Sequence, residues 1–476
     1  MVIKPWGYGI WERIQRLLDE RIKAAGVQNT YFPIFIPLAN FEREASHVEG
    51  FAKEMAVVTH HRLIADGDGG LVPDPEAKLE EPLIVRPTSE TIIGDAMARW
   101  VQSWRDLPLL LNQWGNVVRW EMRTRMFLRT SEFLWQEGHT AHANSEDAQA
   151  ETHRALEMYR ACAEEDLALP VVAGEKPENE RFPGAVETWS IEAMMQDGKA
   201  LQAGTSHYLG TNFAQAAGIQ YQDREGAQQH CHTTSWGVST RMVGGVIMAH
   251  GDDDGLRVPP KIAPYQIIIL PMLRDKPDDD LLLAYCEGIR TELASKSALG
   301  EPIRVLLDKS PGKASAKRWD WVRKGAPLIV EIGPRDMENQ KVALVRRDRL
   351  WVEETGKLAN TFPEKGHFLS DAPALLEDIQ NHLFSQATAH RDANITRGLT
   401  DWQQVTHHFE NGGKYPGWVE VEWSRPSGDA LQAVVEQLKA LKLTIRNVPR
   451  HTEPANGTCI FTGGPATERI LLARAY

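Results

Sequence analysis

The chain has 476 residues, a formal net charge of −12 and 25% charged residues. Its length exceeds what one hydrophobic core supports, so two or three domains are expected. The acidic balance argues against a protein that coats nucleic acid without specificity, although a local basic patch can still contact RNA. No apolar run is long enough to cross a bilayer, and the first residues lack a signal pattern, so we expect a cytoplasmic protein with no membrane partner.

The four cysteines bear on whether the chain has disulfides or a structural zinc site. They are Cys162, Cys231, Cys286 and Cys459, and no two of them have C-x-x-C spacing. This scatter argues against a disulfide framework and against a structural zinc site. We expect reduced thiols that are mostly packed.

The first half of the chain mixes helical and strand patterns. Residues 9–25 have apolar side chains at helical spacing, and residues 30–36 read as a buried strand. Residues 66–82 are rich in Gly, Pro and acidic side chains and predict an exposed loop. The further predictions are strands at 83–86, 116–121 and 133–141, and helices at 89–102, 146–166 and 235–248.

The pattern changes after an acidic, proline-rich segment at 252–264, which predicts a linker. Strands and helices then alternate, which predicts a small α/β domain with a mostly parallel sheet. The predicted strands are 266–270, 304–307 and 328–332, and the predicted helices are 278–298 and 314–324. A helical stretch from residue 371 leads into the last region.

Arg119 and Glu121 are the first candidates for chemistry. In a strand, residues two apart lie on one face, so the two side chains would project together. Arg119 offers a planar fork of donors to a phosphate or carboxylate, and Glu121 can accept from an amine or a purine edge. Taken alone, such a pair is more often a structural ion pair on a sheet.

Other segments change this interpretation. Arg119-Trp120-Glu121 resembles motif 2 of the class II aminoacyl-tRNA synthetases, residues 235–241 resemble motif 3, and residues 10–33 resemble motif 1, which builds the dimer interface. The stretches 86–91, 128–130, 133–139 and 202–207 narrow the resemblance to the prolyl-tRNA synthetases of the archaeal/eukaryotic type, which some bacteria also carry.

The resemblance implies a mixed α/β fold in three parts. A class II α+β catalytic domain, an antiparallel sheet flanked by helices, would span residues 1–263. A small α/β anticodon-binding domain would span 264–370, and an α+β C-terminal domain would span 371–476.

The implied activity is that of a proline--tRNA ligase in protein biosynthesis. ATP and proline would form prolyl-adenylate, and proline would then be transferred to tRNA(Pro) by a cytoplasmic homodimer. A paralogue that activates an amino acid for a non-tRNA acceptor is the alternative. A non-catalytic RNA-binding relative is a third hypothesis, disfavoured because the motif residues are present.

The resemblance also assigns roles to residues. Arg119 and Arg241 would be catalytic. The implied proline site comprises Thr88, Glu90, Arg119, Trp135, His139 and His207. The implied ATP site comprises Arg119, Glu121, Arg129, Thr130, Phe133, Gln202, Thr205, Ser239 and Arg241.

Three expectations accompany these roles. Mg²⁺ would enter with ATP and meet Glu121 or Gln202. Phe133 and Trp135 are expected on alternate strand faces, so that only one faces the proline pocket directly. In the anticodon-binding domain, Glu331 would read base edges with Arg335 close to the RNA, and the basic run 309–324 would contact phosphates.

The sequence also departs from the family pattern. Relatives begin several tens of residues before the position of Met1, so the family's N-terminal segment is expected to be missing. Only Cys459 remains of the cysteines that hold zinc in many relatives, and we expect no zinc. The interval between motifs 2 and 3 has no room for an editing domain, so alanine mischarged to tRNA would be cleared by a separate protein.

Overall fold

A computed structural model describes residues 1–43, 55–274, 276–450 and 454–476. The first unit is a large, mainly antiparallel sheet with helices packed on it. Its helices are α1 (Pro5–Ala24), α2 (Leu38–Arg43), α3 (Glu90–Trp100), α4 (Ser145–Ala161), α5 (Asn212–Ala217) and α6 (Arg241–His250). Its strands are β1 (Gln28–Asn29), β2 (Phe35–Pro37), β3 (Val57–His60), β4 (Leu63–Ala65), β5 (Leu71–Pro73), β6 (Lys78–Val85), β7 (Leu109–Val118), β8 (Glu132–His142), β9 (Val171–Glu175), β10 (Glu187–Met194), β11 (Ala200–Gly210), β12 (Gln220–Gln222), β13 (Gln228–His230) and β14 (His232–Ser239).

The second unit is an α/β domain. Its strands are β15 (Ile267–Pro271), β16 (Ser297–Ala298), β17 (Glu301–Pro302), β18 (Val305–Leu307), β19 (Leu328–Ile332), β20 (Ala343–Arg346) and β21 (Asn360–Thr361). Its helices are α7 (Asp279–Ala294), α8 (Ala314–Lys324), α9 (Pro334–Glu338) and α10 (Lys365–Ala393). The sheet order is β18-β15-β19-β20-β21, and its first three strands are parallel. The predicted alternation is present and the three predicted strands are parallel, but β20 and β21 add two antiparallel pairings, so the sheet is mixed.

The third unit completes the chain and extends the first. It contains β22 (Ile395–Thr396), α11 (Trp402–Asn411), β23 (Trp418–Trp423), α12 (Gly428–Ala440), β24 (Thr444–Ile445), β25 (Val448–Pro449) and β26 (Glu468–Ala473). Four of these strands form their own sheet, in the order β22-β23-β26-β24. The remaining strand, β25, instead pairs with β9 in the first unit.

The main sheet has the order β1-β7-β8-β14-β11-β10-β9-β25. One face packs on α1 and α4, where Ile10, Ile14 and Leu156 join a buried core. Side chains alternate along β8, as they do in any strand. Gln136 therefore points to α4, where it accepts from the Tyr159 hydroxyl at 2.6 Å, and its odd-numbered neighbours project from the opposite face.

Two predicted elements near the sheet are wrong. Of residues 30–36, only the end forms a strand, because Phe32 donates its backbone N–H to the Gln113 side chain of β7 at 2.5 Å and not to a backbone carbonyl. The predicted loop at 66–82 contains β5 and the start of β6. These strands have a loop-like composition because their side chains are largely exposed.

Two further differences concern the motifs themselves. The strand predicted to reach Glu121 ends at Val118, so Arg119 and Glu121 do not share a strand face. Residues 235–239 are strand and not helix, since Ser235 pairs with His139 and Ser239 pairs with Trp135. The helix begins only at Arg241.

The boundaries between units also differ from simple linkers. The predicted boundary at residue 371 falls inside α10, whose Phe368, Leu376 and Leu383 belong to the core of the second unit. The predicted linker at 252–264 has little regular structure, yet Val258 and Ile262 are buried in the first core.

The four cysteines are buried free thiols, as predicted. Across the described ranges, no helix combines the length and apolarity that a membrane crossing requires.

Candidate active site

A cavity of about 290 Å³ opens on the face of the main sheet opposite α1 and α4. It lies over β8, β11 and β14. Eleven residues proposed from the sequence line it: Thr88, Glu90, Arg119, Phe133, Trp135, His139, Gln202, Thr205, His207, Ser239 and Arg241. Residues separated by more than 150 positions in the chain thus share one chamber.

Arg119 stands just beyond the end of β7 and is held from two sides. Its backbone N–H donates to the Ser131 carbonyl at 2.8 Å, and its Nε donates to the Pro87 carbonyl at 2.9 Å. The guanidinium carbon lies 5.5 Å from the ring centre of Phe133 and 5.7 Å from that of Trp135. These contacts fix the plane of the guanidinium before any ligand arrives.

Phe133 and Trp135 both line the cavity, with ring centres 6.1 Å apart in an edge-to-face arrangement. The expected placement of the two rings on alternate strand faces is wrong, and which of them faces the proline pocket directly stays a prediction. Residues two apart in a strand lie on the same face, whereas alternate faces belong to adjacent residues. Both rings therefore form one aromatic wall beside Arg119.

A buried acidic network forms the floor near the start of α3. The Thr88 hydroxyl donates to Glu90. Glu137 accepts from the Ser89 hydroxyl at 2.6 Å and from the Gln113 amide at 2.8 Å, and its other oxygen lies 3.0 Å from Nε2 of His139. Three donors thus meet this carboxylate, and a buried charge requires such partners.

The network shifts the protonation of its members in opposite senses. Burial raises the pKa of Glu90, and the nearby charges of His139 and Arg119 offset only part of this. Burial also disfavours the charged form of His139, but the hydrogen bond and charge of Glu137 outweigh it and raise the pKa of His139. Burial pushes the pKa of Glu137 upward, yet its three donors lower it overall. His139 and Glu137 thus form a buried ion pair.

His207 forms the far wall. Its Nδ1 lies 3.0 Å from the Thr188 hydroxyl, and its ring centre is 4.8 Å from that of Phe182. Burial, together with the charge on His139, lowers the pKa of His207 to about 3. The His207 side chain is therefore uncharged near neutral pH.

Arg241 is the first residue of α6, and it lines the opposite end of the cavity. Its Nε and Nη2 both donate to the Leu128 carbonyl at 3.3 Å, and Nη1 donates to the Gln202 carbonyl at 3.3 Å. Burial, followed by the charges of Arg119 and Arg129, lowers the pKa of Arg241 to about 10. Cations that disfavour each other's charge in this way would be stabilised by a bound anion.

Three residues predicted for ATP lie outside the cavity, in the turn between β7 and β8. Glu121 accepts from the Arg123 backbone N–H at 2.8 Å, and the Thr130 hydroxyl donates to the Glu132 carbonyl at 2.6 Å. Arg129 donates to the backbone oxygen of the last residue, Tyr476, at 3.2 Å. Glu121 lies outside the predicted site because β7 ends before it, at Val118.

The anticodon candidates lie in the second unit. Glu331 is buried in β19 and accepts from Nη1 of Arg318 at 2.7 Å, while its Oε1 has no partner. Arg335 is exposed in α9. In the basic run, Lys317 turns inward and donates to the Asp308 and Ser310 carbonyls, both at 2.9 Å. Only part of that run is thus free to meet a phosphate.

Several cavity residues were missed from the sequence. They are Glu137, Glu180, Phe182, Thr188 and Ser235. Strand alternation would have found Glu137, because it lies between Trp135 and His139 at the same spacing. Glu180 and Phe182 come from an irregular loop, where no sequence period indicates direction.

No cluster of three or more His, Cys, Asp or Glu side chains suited to a metal ion occurs in the part of the chain that the structure describes. Gln202 does line the cavity, and an amide oxygen is a ligand type that Mg²⁺ accepts alongside phosphate oxygens. Of the two predicted magnesium contacts, Gln202 lines the cavity and Glu121 does not.

Comparison with known proteins adds the family. Residues 74–250 match the tRNA synthetase class II core domain (G, H, P, S and T), and residues 266–363 match the anticodon binding domain. A proline--tRNA ligase of Erythrobacter litoralis (strain HTCC2594) is 72% identical over 476 residues, covering 100% of this chain and 93% of the relative. The chain belongs to the class II prolyl-tRNA synthetase family.

More distant relatives agree. A proline--tRNA ligase of Paramagnetospirillum magneticum (strain AMB-1) is 56% identical and covers 100% of this chain and 92% of its own. The prolyl-tRNA synthetase of Cryptosporidium parvum, solved with halofuginone and AMPPNP, is 35% identical with a TM-score of 0.87 over 100% of this chain and 90% of its own. The class II fold and the prolyl-tRNA synthetase membership expected from the motifs are confirmed.

Proposed function

We propose that this chain is a proline--tRNA ligase whose cavity forms prolyl-adenylate from proline and ATP. The prolyl group then passes to tRNA(Pro). The observation that carries the proposal is the convergence of Arg119, Arg241 and the Glu90 carboxylate in one chamber with an aromatic wall. Such a chamber suits a small zwitterion beside a polyphosphate.

Proline would bind at the acidic end. Glu90 and the Thr88 hydroxyl meet the ring ammonium, and the rings of Trp135 and His207 bound the space for the pyrrolidine. His139, held by Glu137, closes the floor. The proline carboxylate then extends toward Arg119.

ATP would bind at the cationic end. Arg119 contacts both the proline carboxylate and the α-phosphate, Arg241 holds the far end of the triphosphate, and Phe133 stacks on adenine. Gln202, Thr205 and Ser239 complete the nucleotide site. Glu121, Arg129 and Thr130 join it if the turn between β7 and β8 folds over bound ATP.

The chemistry is displacement at the α-phosphate. A proline carboxylate oxygen attacks in line, the bond to the pyrophosphate oxygen breaks, and pyrophosphate leaves. Mg²⁺ bound to ATP would neutralise phosphate charge next to Gln202. Fixed cations that meet charge as it develops are worth about 3–4 kcal/mol for each donor, so no general base is required.

The remaining parts serve tRNA. Glu331 and Arg335 would contact the anticodon, and exposed lysines of the 309–324 run would contact phosphates. We further propose a cytoplasmic homodimer. The exposed apolar side chains of the β4–β5 hairpin, including Leu63 and Leu71, together with the region after α1 offer a surface for the second copy.

The alternative acceptor is distinguished by two assays on one preparation. Proline-dependent exchange of pyrophosphate into ATP tests activation, and charging of tRNA(Pro) tests transfer. Exchange with charging supports the ligase. Exchange without charging supports a paralogue that uses another acceptor.

A further inference from the structure

Three buried charges join the third unit to the main sheet. Lys176 follows β9, Glu192 lies in β10, and Arg446 lies between β24 and β25. Nζ of Lys176 is 2.8 Å from one Glu192 oxygen, and Nε and Nη2 of Arg446 donate to the other at 3.1 and 2.8 Å. The three residues are only 1%, 0% and 5% exposed in the same order.

This arrangement is costly to bury. Each ion loses its hydration, and only good geometry offsets that loss. A second ion pair crosses the same joint at much lower cost, between Arg425 and Glu175 at 2.6 Å, where the Arg425 side chain is 40% exposed. Joining the two units does not in itself require full burial of charge.

Arg446 stands where the chain passes from one sheet to the other. Its backbone N–H donates to the Leu471 carbonyl of β26 at 2.7 Å. Two residues later the chain becomes the edge strand of the main sheet, with Val448 opposite Glu175. Gly174 permits this approach, since a Cβ there would lie 2.3 Å from the Val448 oxygen.

The cluster also adjoins the ATP end of the cavity. Glu192 lies directly opposite Gln202 on β11, at a register shift in the β10–β11 pairing. The Gln202 carbonyl in turn accepts from Arg241. The charge of Glu192 favours the ionised form of Arg241 and that of Arg446 opposes it, so all three lie within electrostatic reach.

We propose that Glu192, gripped by Lys176 and Arg446, is a positioning residue for the ATP site. By holding β10, which pairs with β11, it sets Gln202 and Arg241 where the triphosphate binds. The third unit is then part of the machinery of adenylate formation. This inference rests on the proposed use of the cavity for ATP.

The test uses three full-length variants. Arg446→Met removes the guanidinium charge and leaves Lys176 as the partner of Glu192. Arg446→Lys keeps the positive charge but cannot donate the two hydrogen bonds that Nε and Nη2 of Arg446 make to Glu192. Arg425→Met is the control, because it removes the exposed ion pair across the same joint and lies outside the cavity.

In pyrophosphate exchange, Arg446→Met should raise the KM for ATP about tenfold and change the KM for proline less than about twofold. Arg446→Lys should show a smaller rise in the same constant. Arg425→Met should leave both constants at their wild-type values. The rise in melting temperature caused by ATP should shrink in the same order.

The inference is overturned if Arg446→Met folds and its KM for ATP equals that of Arg425→Met, or if both substrate constants rise equally. If Arg446→Met does not fold, Arg446→Lys decides by the same criteria. If the wild-type chain shows no exchange, the proposed function fails. In that case the rise in melting temperature caused by ATP tests the positioning role by itself. An equal rise in Arg446→Lys and wild type would overturn that role.

Discussion

Nε2 of His139 lies 3.0 Å from a Glu137 oxygen, and the two residues are 5% and 2% exposed. Glu137→Gln removes the charge that raises the pKa of His139, so the pKa of the imidazole should fall, because burial then disfavours the charged form with less opposition. The pH dependence of kcat/KM for proline should therefore shift to lower pH in the variant than in wild type. Ser89→Ala, which removes one hydrogen bond without altering charge, is the control. Identical profiles in Glu137→Gln and wild type would refute the ion pair.

Arg119→Lys tests whether the cavity needs the planar guanidinium of Arg119 or only its positive charge. Lysine keeps the charge but loses the Nε contact to Pro87 and the planar face beside Phe133 and Trp135. We expect exchange to fall about 100-fold, because one positioned donor is worth that much in a dry site. Arg99→Ala, an exposed arginine paired with Asp95, should exchange at the wild-type rate. Activity of Arg119→Lys within a factor of about three would show that charge alone suffices.

Glu331→Gln separates the two halves of the reaction. The carboxylate has one oxygen paired with Arg318 and one buried oxygen without a partner, so part of its acceptor capacity is unused. The KM for tRNA in charging should rise about tenfold, as expected for one lost base contact, while exchange is unchanged. A matching loss of exchange would mean that this strand acts on the cavity and not on tRNA.

Gly138→Ala tests the sheet beneath the cavity. A Cβ at Gly138 would lie 2.2 Å from the Trp236 ring, whereas one at Gly366, exposed in α10, would meet nothing within 4 Å. Gly138→Ala should cost about 3 kcal/mol or more, since a buried indole cannot yield. Gly366→Ala should stabilise by up to about 1 kcal/mol through helix propensity. Urea unfolding followed by tryptophan fluorescence compares them, and equal midpoints would contradict this packing.

Acid should destabilise the chain through buried neutral histidines. Burial lowers the pKa of His250 to about 4, and its Nε2 lies 3.0 Å from the Leu167 carbonyl. The unfolded chain therefore binds more protons than the folded one between about pH 4 and 6.5, so stability falls as pH falls through that window. His250 alone should cost about 1.5 kcal/mol between pH 6.5 and 5. His250→Gln should show a shallower pH dependence, and an unchanged slope would exclude the effect.

The sequence predicted the elements whose pattern is long and regular. Residues 314–324 and 328–332 are helix and strand with the predicted bounds, because apolar spacing and the flanking glycine define them locally. The failures have a different origin. Within residues 30–36, Phe32 donates its backbone N–H to the Gln113 side chain and lies outside any strand, which no local pattern indicates.

The site was predicted to a similar extent and for similar reasons. Motif residues on β8, β11 and β14 do meet in one cavity, since their positions follow from strand pairing. Glu121 does not, because the end of β7 at Val118 depends on the turn that follows. Phe182 was missed since its approach to His207 depends on a loop fold that composition does not encode.

The most direct measurement of the central claim is exchange of labelled pyrophosphate into ATP by the purified full-length chain. The cavity predicts exchange that requires proline and is lost, by about 100-fold or more, in Arg119→Ala. Proline-independent exchange, or wild-type exchange in Arg119→Ala, would contradict an adenylate-forming site centred on Arg119.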